Sequence, residues 1–178
     1  MKTKIFQNKK IHYINDNLIE VIIRHLNSAS NTDIIVPQAY NCFNNKDHRF
    51  ATSLFEKFPS IQANLEIIRS NPEQCFGKTQ FIDIFNQKNK NYGKVVFANM
   101  LCQKQTRSKR SLDYIMLGKC MHSVGVYLNE KYNKSGSENI TIYSPKFGIG
   151  SAGGNWSFIE ELITDCWSNW NVLVYSNR

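Results

Sequence analysis

With 178 residues, 42% of them hydrophobic and 20% charged, the chain has the size and composition of one globular domain with a sizeable core. Its net charge of +8 favours an anionic partner, small or polymeric. No apolar run is long enough to span a membrane and no signal-peptide core follows Met1, while five scattered cysteines without a CxxC pair argue against a zinc site and for reduced thiols in a cytoplasm.

In chain order, Lys10 to Ile14 reads as a strand, and Leu18 to Leu26 has helical apolar spacing (Leu18, Val21, Ile22, Leu26). Ile34 to Val36 predicts a short buried strand ended by Pro37. Phe50 to Phe58 predicts a helix closed by Pro59. Gly77 to Phe85 alternates as a strand, Asn89 to Gly93 makes a turn, and Lys94 to Asn99 is the next strand. Ser111 to Lys131 predicts a long helix weakened by Gly118 and Gly125. The strand Ile140 to Tyr143, a glycine-rich loop, a helix from Phe158 and the strand Val172 to Tyr175 complete the chain. This alternation predicts an α/β fold in three layers, a mixed central sheet with helices on both faces, as a single domain over 1–178. Ligands of such sheets bind beyond the carboxyl ends of the strands.

Four of the nine glycines fall in Gly148-Ile149-Gly150-Ser151-Ala152-Gly153-Gly154, between a strand and a helix. Glycines there permit positive φ and a close approach of backbone to ligand, and a following helix start adds N–H groups and a positive dipole end. A tight turn of structural use alone would need one or two glycines. The loop therefore predicts an anion site, phosphate above all. Basic residues concentrate in Lys104 to Arg110, with Lys9-Lys10 as a smaller group. Such a run is a solvated loop, a collar steering a charged nucleotide, or a nucleic-acid patch. No aromatic residue is interleaved with it, which argues against a single-strand stacking platform.

Polar residues follow four of the strands, at Asn15-Asp16, Asn41 to Arg49, Asn99 with Gln103, and Gly148 to Asn155. This layout resembles the macro domain family, compact α/β modules that bind ADP-ribose. The likeness covers most of the chain and is strongest to the branch of ADP-ribose 1″-phosphate phosphatases and phage or bacterial ADP-ribosyl hydrolases. Ile14-Asn15-Asp16-Asn17-Leu18 looks like the family's Gly-Asp-Leu/Ile step. Val95 to Met100 with Gln103 is similar to Ile-Ala-Asn-Met-x-x-Gln. Pro145 to Trp156 matches Pro-x-x-Gly-x-Gly-x-Ala-Gly-x-Asp/Asn-Trp.

The resemblance implies an ADP-ribose-like ligand; no cofactor is expected, and the residues themselves suggest no metal ligands and no membrane partner. Asp16 would accept a hydrogen bond from the adenine amino group, or else serve as a turn or helix-cap residue. Asn41 would hold the distal ribose, or close an Asx turn. Asn99, Gly148 and Gly150 would border the cleft, and Ser151, Ala152 and Gly153 would offer backbone N–H groups to the diphosphate. Tyr175 would stack on adenine or be buried, Asn155 would lie near the distal end, and Trp156 would pack. The first binding loop departs from the family. Where its glycines stand, this chain has Asn44, Asp47 and Arg49, so Arg49 and Lys46 could supply charge in place of backbone donors. Asn41, His48 and Asn155 are the catalytic candidates, with Asp47 beside His48 as a possible orienting partner. The expectation is a cytoplasmic nucleotide-binding domain in a bacterial or phage setting. Hydrolysis at the distal ribose, a non-turnover sensor or sponge, and a decayed nucleic-acid-binding form remain as alternatives.

Overall fold

Nine consecutive buried residues, Val95–Gln103, form β4, a central strand covered on both faces. Such a strand reads as a continuous apolar run because neither face meets water. The computed structural model describes residues 11–43, 49–86, 88–104, 110–132 and 139–176. Lys9-Lys10, the loop from Asn44 to His48 and the segment from Gln105 to Lys109 lie outside them.

Around β4 the strands β1 (Ile11–Ile14), β2 (Asp33–Asn41), β3 (Thr79–Ile84), β5 (Ile140–Pro145) and β6 (Val172–Tyr175) complete a mixed sheet in the order β1-β6-β5-β2-β4-β3. All neighbours run parallel except β3, which pairs antiparallel with β4 at the edge. Helices α1 (Leu18–Leu26), α2 (Arg49–Lys57), α3 (Pro59–Arg69) and the short α4 (Pro72–Cys75) cover one face; α5 (Tyr114–Tyr132) and α6 (Trp156–Cys166) cover the other. The fold is thus the three-layer α/β arrangement expected.

The side-chain alternation of the strands divides the interior in two. Odd positions of β4 (Val95, Phe97, Leu101) join Leu54, Ile61 and Leu65 under α1–α4. Even positions (Val96, Ala98, Met100, Cys102) join Leu117, Val124, Ile159, Trp167 and Trp170 under α5 and α6. At about 1.5–3 kcal/mol for each buried large apolar side chain, these two layers supply the driving force. Tyr132 Oη donates to Asp33 Oδ2 at 2.6 Å and so ties the end of α5 to the start of β2. The four cysteines Cys42, Cys75, Cys102 and Cys120 are buried free thiols, and Cys166 is half-buried.

Three expectations about elements are corrected. Pro37 does not end β2, which continues to Asn41. Pro59 does not merely close α2; it opens α3, where the missing N–H of a first-turn proline costs nothing. The strand at Lys94 to Asn99 extends to Gln103. Helices α3 and α4 were not anticipated at all, although Ile61, Leu65 and Ile68 carry i, i+4, i+7 spacing.

Candidate functional site

β2 and β5 pair only from Asp33–Ile35 to Ile140–Ile142. Beyond that point β2 follows β4 and β5 follows β6, each to its carboxyl end. Pro37 fits this parting. The Asp33 N–H bonds Asn139 on the β5 side and the Ile34 N–H bonds Lys94 on the β4 side. Amides alternate along a strand, so Pro37 belongs to the β5-facing set and lacks its donor where the β5 ladder has already stopped. The sheet opens there into the kind of crevice where α/β folds place ligands.

The glycine loop forms one rim of this crevice. Gly148, Gly150 and Gly153 have φ of 73°, 66° and 74°, in the left-handed region. A single 3-10 turn, Gly150–Ala152, lies between them. The Ser111 and Leu112 N–H groups both reach Ala152 O at 3.1 Å and anchor the loop from behind. The loop also makes hydrogen bonds of its own. Ala152 N–H bonds Ile149 O at 3.4 Å, Gly153 N–H bonds Gly150 O at 3.0 Å, and Gly154 N–H bonds Gly148 O at 2.9 Å. Two of the three predicted donors, Ala152 and Gly153, are therefore used to hold the loop's own shape. Ile149 and Gly150 N–H make no hydrogen bond among the described residues.

A cleft of about 270 Å³ runs along this rim, lined by Leu18, Phe50, Pro145, Lys146, Ile149, Tyr175 and Ser176. It joins the start of α1, the start of α2, the glycine loop and the end of β6. Tyr175 is 7% exposed and lies 5.3 Å from the Tyr143 ring. Burial, with Tyr143 beside it, pushes the Tyr175 phenol up from its ordinary value. Asp16, at the end of β1, takes Arg24 Nη2 at 2.6 Å and the Asn17 N–H at 2.7 Å. The Arg24 hydrogen bond, then that N–H, holds its carboxyl below the usual carboxylate range. It is not the helix cap: Asn17 caps α1, accepting from Ile19 N–H at 3.0 Å. Arg49 opens α2 as an exposed residue next to the cleft-lining Phe50.

The remaining predicted residues are not brought together. Asn99 is 1% exposed in mid-β4, on the odd face, and donates to Gln80 Oε1 at 3.1 Å. Gln80 in turn reaches Asn64 O, so Asn99 belongs to a polar tie between β4, β3 and α3 rather than to the cleft wall. Gln103 donates to Ala39 O inside the sheet. Asn41 accepts the Phe43 N–H at 2.9 Å, the Asx-turn alternative. Asn155 caps α6, accepting the Ser157 N–H at 2.9 Å, while its own N–H bonds Tyr114 Oη. His48, with Asp47 and Asn44, lies outside the described residues. Sequence reasoning missed Lys146, Phe50 and Leu18 as wall residues. Their signal was adjacency to the glycine loop, to the first loop and to Asp16. Among the described residues no three His, Cys, Asp or Glu side chains gather as a metal site, and no helix is long and apolar enough to cross a membrane.

No protein-family model matches the chain, and no curated protein matches it. Solved structures do. A macrodomain protein from Streptomyces coelicolor superposes with a TM-score of 0.68 at 19% identity, over 93% of this chain and 98% of that one. The fold is that of a macrodomain. The DarG macrodomain of Mycobacterium tuberculosis gives a TM-score of 0.66 at 15% identity, over 93% of this chain and 96% of that one. Thermosipho africanus DarTG, solved in complex with ADP-ribose, gives a TM-score of 0.57 at 15% identity, over 86% of this chain and 39% of that longer chain.

Proposed function

We propose that this macrodomain binds an ADP-ribose-like nucleotide in the cleft between the glycine loop, β6 and the start of α1. The observation that carries this reading is convergence. Three sequence pieces far apart in the chain, around Asp16, Gly148–Gly154 and Tyr175, meet at the carboxyl ends of parallel strands, and one cleft runs between them. The chemistry suits the parts of such a ligand. Apolar Leu18 and Tyr175 offer a surface for adenine, ionised Asp16 is an acceptor for its amino group, and the loop offers Ile149 and Gly150 N–H groups to phosphate. Arg49 is placed to add charge from α2. The ADP-ribose complex of the Thermosipho relative supports the ligand class.

Binding without turnover is the form we favour over hydrolysis at the distal ribose. Asn41 and Asn155, the described catalytic candidates, both accept backbone N–H bonds that fix local turns, which leaves His48 and the rest of the first loop to carry any chemistry. A polymeric nucleic-acid ligand is the weaker alternative, because the cleft wall is mostly apolar. Calorimetric titration with ADP-ribose and ADP-ribose 1″-phosphate, each mixture sampled for product, tests the proposal. Saturable binding with no product is the expected result. Product formation would make the protein a hydrolase or phosphatase; no binding of either compound would overturn the reading.

A further inference from the structure

We infer that Lys146 is the cation this site sets against the phosphates of its ligand, held ready on an aromatic shelf at the cleft mouth. The inference rests on the nucleotide-binding reading and names how its charge is met. Among the described residues that line the cleft, Lys146 alone is charged. Its Nζ stands 5.4 Å from the Tyr13 ring centre and 5.7 Å from that of Trp156. Those rings are fixed: Trp156 Nε1 donates to Tyr13 Oη at 2.8 Å, and Tyr13 Oη donates to Glu160 at 2.7 Å. The shelf therefore ties β1, the glycine loop and α6 together behind one ammonium group. Among the described residues no carboxylate pairs with Lys146.

Physical chemistry makes that arrangement useful rather than decorative. An aromatic face attracts the ammonium without neutralising it and restricts the lysine's rotamers before any ligand arrives. The charge that remains needs an anion. The loop itself meets little of that need, because the Ala152, Gly153 and Gly154 N–H groups close its own turns. A diphosphate in the cleft thus finds fewer backbone donors than the glycine count suggests, and a point charge on the wall completes its neutralisation. The ligand chemistry selected is a phosphate-bearing nucleotide, with the nucleoside part resting on the apolar wall.

The test is calorimetric titration of the full chain with ADP-ribose at low and moderate salt, for the wild type, Lys146→Gln and Lys146→Arg. We expect K146Q to bind about tenfold more weakly, the scale of one lost charge-assisted contact, with a shallower salt dependence. K146R should stay within about threefold of the wild type, since it keeps charge and aromatic stacking. Thermal melts should coincide, Lys146 being exposed. Unchanged affinity and salt dependence in K146Q would overturn the inference. So would equal losses in K146Q and K146R with lowered melting, which would mark a packing role. If the wild type itself fails to bind ADP-ribose, the functional reading falls and takes this inference with it; wild-type binding with an indifferent K146Q removes this inference alone.

Discussion

A methyl group on Gly154 would stand 2.3 Å from the carbonyl oxygen of Gly148, the atom its own N–H bonds at 2.9 Å. Backbone cannot yield as a side-chain end can, so the loop must open. Gly154→Ala is expected to cost about 1–3 kcal/mol and to abolish ADP-ribose binding; urea titration and calorimetry check the two effects separately. His25, on α1, poses a different residue-scale problem. Its Nε2 is buried with no hydrogen-bond partner among the described residues, and burial lowers the imidazole pKa despite the opposing pull of Asp33 and the Thr32 backbone. A histidine depressed in the folded state takes up its proton first in the unfolded chain. Stability is therefore complete above the unfolded value of about 6.5 and falls as pH drops below it. The urea midpoint of the wild type should decline from pH 7.5 to 5.5, and His25→Asn should flatten that decline. An identical slope in H25N would assign the pH dependence to other groups.

Among the elements, β2 shows why local pattern reads incompletely. Proline in a strand argues for an end, because a ladder hydrogen bond is lost. Here the lost bond falls on the side where β5 has already parted from β2, and from Val36 to Asn41 the strand pairs with β4 alone, with a register shift between Tyr40 and Asn41. The choice of side is a tertiary fact. Helix α5 shows the converse. Gly125 weakens the helix by propensity, yet a Cβ there would meet Cys166 O of α6 at 3.0 Å, so the glycine is where the two helices approach. Gly125→Leu should therefore destabilise by about 1–3 kcal/mol through forced separation of α5 and α6, even though leucine is the better helix former. A rise in the melting midpoint would show that propensity outweighs the contact.

For the whole molecule, the decisive feature is that one sheet serves two cores. Leu54 lies fully buried in the α1–α4 layer, whereas Trp167 and Trp170 lie in the α5–α6 layer. Since β4 contributes alternate residues to both, loss of either layer exposes the strand. Leu54→Ala should cost about 2–5 kcal/mol and shift the tryptophan fluorescence transition as far as the far-UV circular dichroism transition. Transitions that separate would mean that the two layers unfold independently.

The glycine loop, the bounds of α1 and β6, the α/β alternation and the place of Tyr175 at the end of the last strand were legible in the residues themselves. Each rests on local physics: positive φ, helical or strand spacing, and polar residues directly after a strand. What tertiary structure decided was the use of each polar group. Asn41, Asn99 and Asn155 look alike in sequence, but one closes a turn, one is buried beneath α3 and one caps α6. The glycine loop likewise keeps for itself N–H groups that its composition promised to a ligand. A donor or acceptor serves whichever partner the fold brings within about 3 Å, and that distance is set by packing across the sheet rather than by neighbours in the chain.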